Sequence, residues 1–163
     1  MTDERTGKQY LLRPTETLIH DVLQQVCRNH GGRLPEPKDD MENTFLDDLI
    51  TGTFMLGMTD KATEGRWVWD SNRLEVNWQY WMAWRSTEYT NEPNGGDGEN
   101  CVVMAQQLWN DRAGHKTDGW LDVPCDSDDY ITVSTSLICE RNPGLVTLHD
   151  LDRITVCLKC LFT

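Results

Sequence analysis

Glu92-Pro93-Asn94-Gly95-Gly96-Asp97-Gly98-Glu99-Asn100-Cys101 is the run on which the reading of this chain turns. It sets three carboxylates and two amides on a glycine-rich frame that ends at a cysteine. Hard cations such as calcium take about six to eight oxygen ligands, drawn from carboxylates and amide carbonyls. A run this dense in side-chain oxygen supplies much of such a shell. The glycines allow tight curling, and Pro93 can set a turn through a cis bond. The competing reading of the run alone is a solvated acidic turn.

Working outward, Leu56-Gly57-Met58-Thr59-Asp60 and Glu64-Gly65-Arg66-Trp67-Val68-Trp69-Asp70 lie upstream. Trp109-Asn110-Asp111, Trp120-Leu121-Asp122-Val123-Pro124-Cys125 and Ile138-Cys139-Glu140 lie downstream, and Val26-Cys27-Arg28-Asn29-His30-Gly31-Gly32-Arg33-Leu34 stands near the front. In this order and spacing the set resembles the C-type lectin-like domain over residues 8–141, leaving 142–163 as a C-terminal extension of unknown role. The resemblance implies an α+β fold of two helices, small antiparallel sheets and a long calcium-binding loop region. It also implies two disulfides, Cys27–Cys139 and Cys101–Cys125. Each closure would stabilise by roughly 3–5 kcal/mol in the chain-entropy account.

The resemblance carries calcium chemistry onto named positions. Glu-Pro-Asn order resembles the members that bind mannose, N-acetylglucosamine and fucose; galactose binders typically carry Gln-Pro-Asp. Glu92, Asn94 and Glu99 then act as calcium ligands and as sugar-binding residues. An Asn amide donates while a Glu carboxylate accepts, which suits the dual character of a sugar hydroxyl. The pattern breaks at the last ligand pair, where a Trp-Asn-Asp run is expected. Counting back from Cys125 gives Trp120-Leu121-Asp122, with leucine in the Asn place. Counting forward from Cys101 gives Trp109-Asn110-Asp111, well short of Cys125. Either Asp122 is the ligand and residues 111–119 form a hairpin, or Asn110 and Asp111 are ligands with an insertion after them. The cysteine anchor favours Asp122. A second calcium would draw on Asp60, Glu64 and Glu99, with Asn100 replacing an Asp and Asp97 compensating; the plain reading of Asp60 and Glu64 is surface residues beside a turn.

An insertion between Trp78 and Glu92 carries Tyr80, Trp81, Trp84 and Tyr89. Aromatic rings of this kind serve either core packing or ligand contact. Trp67, Trp69 and Trp120 are expected in the core, whereas Trp81, Trp84 and Tyr89 are candidates for ligand contact.

Composition narrows the field. The 163 residues suit one domain. A net charge of −12 argues against nucleic acid, which needs a basic face. No apolar run is long enough for a membrane span. The polar start, Met1-Thr2-Asp3-Glu4-Arg5, has no secretory apolar stretch, yet disulfides imply an oxidising, extracellular setting. His20, His30, His115 and His149 are scattered, with no nucleophile elbow beside them, so no catalytic residues are assigned and the chain is not read as an enzyme. Packing or surface roles are expected for His20 and His30.

The periodicity predicts helices over Thr15–His30, with Leu18, Ile19, Val22, Leu23 and Val26 as its apolar face, and over Asp39–Leu49, with Met41, Phe45, Leu46 and Leu49. Strands are expected at Thr53–Met58, Trp67–Asp70, Cys101–Met104 and Ile131–Cys139. Leu145–Leu158 could pack as a further element. Cys157 and Cys160 have no family counterpart and could pair together, pair between chains or stay free. The expected partners are mannose-like glycans, with calcium as cofactor. A protein ligand on a weakened sugar site is the alternative, and a homo-oligomer could raise avidity.

Overall fold

A computed structural model describes residues 1–49, 52–82, 91–110, 116–128 and 134–143. Its elements, in chain order, are β1 (Gln9–Pro14), α1 (His20–Asn29), α2 (Asp40–Leu49), β2 (Thr53–Thr59), β3 (Val68–Trp69), β4 (Cys101–Asn110), β5 (Lys116–Val123) and β6 (Ser136–Arg141). β1 and β6 pair antiparallel, from Gln9 opposite Arg141 to Pro14 opposite Ser136. The remaining strands form an antiparallel sheet in the order β3-β2-β4-β5. This is the expected α+β architecture of two helices and small antiparallel sheets.

Both faces of the larger sheet are buried, so β2 and the start of β4 read as unbroken apolar runs instead of alternating ones. Phe54, Leu56, Met58, Val102, Met104 and Trp120 face one cluster, which also takes Tyr10, Trp67, Trp69 and Ile138. Met55, Cys101, Val103 and Val123 face the other, with Leu18, Leu23, Leu34 and Leu137. The period of two along each strand assigns neighbours to opposite clusters. Trp67, Trp69 and Trp120 are core residues, as expected. The Cys27–Cys139 disulfide ties α1 to β6, and Cys101–Cys125 ties the start of β4 to the segment after β5.

Several boundaries differ from the periodicity. The first helix begins at His20, not Thr15, because residues before it are held extended by a distant carboxylate. Asp128 accepts from Leu18 N–H at 2.7 Å and from the Thr17 hydroxyl at 2.9 Å. Val22 and Met41, expected on apolar faces, are exposed, while His20, Gln24, Glu42 and Asn43 are buried. Each of these polar groups has a partner: Gln24 accepts from Leu34 N–H, Asn43 accepts from the Trp120 indole, and Glu42 pairs with Lys8. The strand expected at Trp67–Asp70 is confined to Val68–Trp69, and that expected at Cys101–Met104 runs on to Asn110. Lys116–Gly119 belong to β5, not to the hairpin turn. β1 was not anticipated as a strand. Of the strand expected at Ile131–Cys139, residues 131–133 lie outside the described residues, and β6 continues to Arg141. Asp111, His115, Trp84, Tyr89, His149, the Leu145–Leu158 segment, Cys157 and Cys160 also lie outside the described residues.

Candidate functional site

The Glu92–Pro93 peptide bond is cis, and a single 3-10 turn, Gly96–Gly98, follows it. The loop is anchored at both ends. Glu92 N–H donates to Met82 O at 3.1 Å, and the Thr59 hydroxyl donates to Asn100 O at 2.6 Å, fixing the far end to β2. Between these anchors the loop wraps a carboxylate. Asp122 is buried, and its oxygens accept from Asn94 N–H at 3.0 Å and from Gly95 N–H at 2.8 Å. Glu99 folds back over the same turn, so that a Cβ on Gly95 would collide with the Glu99 side chain. This close approach, beyond turn flexibility, is why residue 95 is glycine. Its signal in the sequence was a glycine four positions before the second glutamate, too common a pattern to single out.

Register decides which downstream carboxylate reaches the loop. Cys101 pairs with Val123 and Val102 with Asp122, so Asp122 stands at the loop end of the β4–β5 ribbon. Asn110 pairs with Lys116 eight residues further along β4, on the order of 25 Å away at the usual rise of a strand. The structure therefore brings Asp122 to the backbone of Asn94 and Gly95, over which Glu99 folds, and does not bring Asn110 to them. Leu121, one residue from Asp122, points the other way and packs against the cluster of Val103 and Val123.

Asp60 ends β2's side of the same region. It is buried, its Oδ2 accepts from Gly65 N–H at 2.9 Å, and its Oδ1 is buried with no hydrogen-bond partner. Burial raises its pKa above the ordinary carboxylate value, and the charges of Asp122 and Asp97 add to the rise against the backbone hydrogen bonds. Glu64 is exposed and also raised, by slight desolvation and then by Asp60, Asp97 and Asp122. Asp60 and Glu64 thus both feel the negative charge of Asp97 and Asp122, and Asp60 carries an orphaned buried oxygen. An oxygen-only donor set with uncompensated negative charge fits a hard divalent cation. Among the described residues, no group of three or more His, Cys, Asp and Glu is placed so that it could hold a metal ion. The donors suit calcium in kind; Asp122 is meanwhile occupied with backbone N–H groups.

A cleft of about 540 Å³ lies elsewhere, lined by His20, Thr59, Lys61, Arg66, Asp70 and Arg73 among others, and none of the four loop-site residues lines it. His20 is buried there, with Nε2 2.7 Å from Asp70 and Nδ1 3.1 Å from Asp21. Burial would lower its pKa, but the hydrogen bonds and charges of the two aspartates outweigh that and raise it. A raised folded-state pKa contributes stability that is complete below the unfolded value, about 6.5, and is lost as pH rises through the folded value. Urea midpoints measured from pH 6 to pH 9 are expected to fall for the native protein and to flatten for His20→Gln. Parallel declines would show that this pair does not govern the slope.

Trp81, a candidate for ligand contact, packs on Trp67 at 5.0 Å and on Trp120 at 5.9 Å between ring centroids, which makes it part of the core wall. Tyr80 beside it remains exposed.

The family model described as Lectin C-type domain matches residues 19–140. Pulmonary surfactant-associated protein D from Sus scrofa is 33% identical over 94 residues, covering 55% of this chain and 24% of that protein. The chain thus spans about a quarter of the length of this curated relative. Among solved structures, herring type II antifreeze protein superposes with a TM-score of 0.60 at 21% identity, covering 84% of this chain and 92% of that one. The cow carbohydrate-recognition domain of CD23, solved in the presence of GlcNAc2Man3 oligosaccharide, gives a TM-score of 0.59 at 24% identity, covering 84% and 89%. At these identities the two structures speak for the fold alone.

Proposed function

Because the chain belongs to the C-type lectin domain family, we propose that it is a binding module, not an enzyme, that takes mannose-, N-acetylglucosamine- or fucose-type glycans in a calcium-dependent manner. The observation that carries this reading is the Asp122 carboxylate, held by the backbone of Asn94 and Gly95 within a turn that Glu99 folds over. Glu92, Asn94, Glu99 and Asp122 would hold the ion, which supplies a Lewis-acid centre for a pair of sugar hydroxyls. The side chains would then complete each hydroxyl, with Glu92 and Glu99 accepting and the Asn94 amide donating. Asp60, Glu64, Glu99 and Asp97 would hold a second ion, with the repulsion at Asp60 as its support.

The two disulfides suit an oxidising, extracellular setting, and no helix of the described residues is long and apolar enough to cross a membrane. Retention on immobilised mannan in calcium, with release by chelator, is the expected result. Flow-through on mannan and on galactose resin would sink the reading. It would favour the alternative, a protein-binding module, for which Leu121 is the supporting observation: its side chain packs inward where the family pattern expects an amide.

Glu92→Gln combined with Asn94→Asp is expected to shift preference from mannose toward galactose, because it exchanges the order of acceptor and donor around the hydroxyl pair. A mannose-to-galactose affinity ratio that moves less than about threefold, the worth of roughly one net hydrogen bond, would count against this loop as the sugar site.

A further inference from the structure

We propose that the cleft between α1 and the segment from the end of β2 to Arg73 is a binding site for a small organic phosphate monoester. None of Glu92, Asn94, Glu99 and Asp122 lines it, so the site stands apart from the calcium-lectin reading and does not rest on it.

In a chain of net charge −12, a local surplus of positive charge needs a cause. Lys61, Arg66, Arg73 and His20 line this cleft against two carboxylates, Asp21 and Asp70. Lys8, Arg33 and Lys38, by contrast, are engaged in the interior, where they pair with Glu42, Glu140 and Glu36, all three buried. The carboxylates of the cleft are answered from its own wall. His20 has a carboxylate oxygen on each ring nitrogen, Asp70 at 2.7 Å and Asp21 at 3.1 Å. A neutral imidazole donates from one nitrogen alone, so this geometry selects the imidazolium. The Gln24 amide donates a further hydrogen bond to Asp70 at 3.3 Å. With Asp70 so occupied, the cations of the β2-to-Arg73 segment keep most of their charge for a ligand.

Those cations are held loosely. Arg66 meets Glu75 at 3.4 Å, with the two side chains 62% and 61% exposed. Arg73 meets Asp70 at 3.7 Å and is itself 69% exposed. Exposed pairs of this kind contribute little, so either guanidinium turns to a ligand at small cost. The backbone at Arg73 is the second sign of a site. Its φ is +58°, and it is the one non-glycine with positive φ among the described residues. Its N–H donates to Trp69 O at 2.9 Å, and Trp69 N–H donates to Leu74 O at 3.0 Å, which closes the turn around that conformation. Glycine adopts it freely, whereas a residue with a Cβ is strained there. The turn nevertheless carries an arginine, at the mouth of a basic cleft.

The guanidinium fork matches two phosphate oxygens at once, and the lysine ammonium supplies a compact charge. A phosphate monoester near pH 7 carries close to two negative charges, which suits this surplus better than a singly charged sulfate ester. Ala62 and the half-buried Val68 add apolar wall. The volume of about 540 Å³ leaves room for an organic group beside the phosphate and lies in the range of small-molecule pockets, about 300–1,000 Å³.

The test is calorimetry with phenyl phosphate, phenyl sulfate and inorganic phosphate in calcium-free buffer, so that the Glu92–Cys101 loop takes no part. Phenyl phosphate should bind, at least about threefold more tightly than either of the others, and should weaken as salt is raised. Arg73→Gly should weaken it about tenfold, the worth of a charge-assisted contact, while Tm stays within about 3 °C because the turn then holds a glycine. Lys61→Gln, at an exposed position, should weaken it about threefold or more. Arg13→Gln removes an exposed charge of β1 outside the cleft and should leave affinity within about twofold. No binding of phenyl phosphate by the native protein would overturn the site. So would unchanged affinity in Lys61→Gln and a folded Arg73→Gly, or equal losses in Arg13→Gln and Arg73→Gly, which would show general charge attraction. If Arg73→Gly fails to fold, Lys61→Gln against Arg13→Gln decides. Phenyl sulfate or inorganic phosphate bound as tightly as phenyl phosphate would overturn the monoester as the ligand class.

Discussion

Asp122→Ala is expected to abolish calcium-dependent retention on mannan. The substitution removes the carboxylate that the Glu-Pro-Asn turn is wrapped around. Outer-shell groups alone are worth roughly 10–100-fold in metal affinity, so loss of a proposed ligand should reach on the order of 100-fold or more. Stability falls as well, because the N–H groups of Asn94 and Gly95 lose a charged acceptor. Hydrogen bonds to charged groups are worth about 1.5–3 kcal/mol each. Asn94 is exposed and Gly95 partly so, and water can replace part of the loss. A fall of about 2 kcal/mol in a denaturant titration is the expected size. Asp122→Asn separates the two effects: one amide oxygen still accepts from the turn, while the charge is gone. It should keep most of the stability and still lose retention. If Asp122→Ala bound mannan in calcium like the native protein, Asp122 would have no part in the site.

Replacing Cys27 and Cys139 together by serine should produce the largest stability loss in the molecule. The bridge spans a sequence separation of 112 residues, and in the chain-entropy account a loop of that length is worth about 4–5 kcal/mol. Both sulfurs are buried, so the serines also place hydroxyls in an apolar cluster. For a chain of this size each kcal/mol moves Tm by roughly 2–4 °C, giving a drop of about 10–20 °C by calorimetry. The Cys101–Cys125 bridge, with a separation of 24, should cost less, about 3 kcal/mol. It lies at the loop end of the β4–β5 ribbon, so its removal should weaken calcium binding more than its stability cost suggests. A Tm within about 3 °C of the native value after loss of Cys27–Cys139 would show that the remaining contacts of α1 and β6 hold the ends unaided.

The legible parts of the fold were those in which local pattern and tertiary environment agree. β2 is apolar at Phe54, Met55, Leu56 and Met58 because both of its faces are covered, and it was readable as a buried strand. The Gly31-Gly32 stop was readable because Gly31 adopts φ +71° just beyond α1. The start of α1 was not, because Asp128 holds Leu18 from 110 positions away. Nor were the faces of the helices. Counting apolar residues put Val22 and Met41 inside, whereas the buried positions next to them belong to Gln24, Glu42 and Asn43, each satisfied by a partner distant in sequence.

The candidate site divides along the same line. Sequence by itself determined the donor chemistry: the oxygen-rich run from Glu92 to Cys101, the family it belongs to, and two rival ends to the ligand set, Asp122 or Asn110 with Asp111. Both follow a tryptophan, and the Cys125 anchor favoured Asp122 without showing where either lies relative to the loop. The tertiary structure placed Asp122 against Asn94 and Gly95, turned Leu121 to the opposite face, and left Asn110 at the far end of the ribbon. The physical reason is strand register. Pairing Cys101 with Val123 is a long-range choice made by the core on both faces of the sheet, and a slip of one residue would exchange the faces of Leu121 and Asp122.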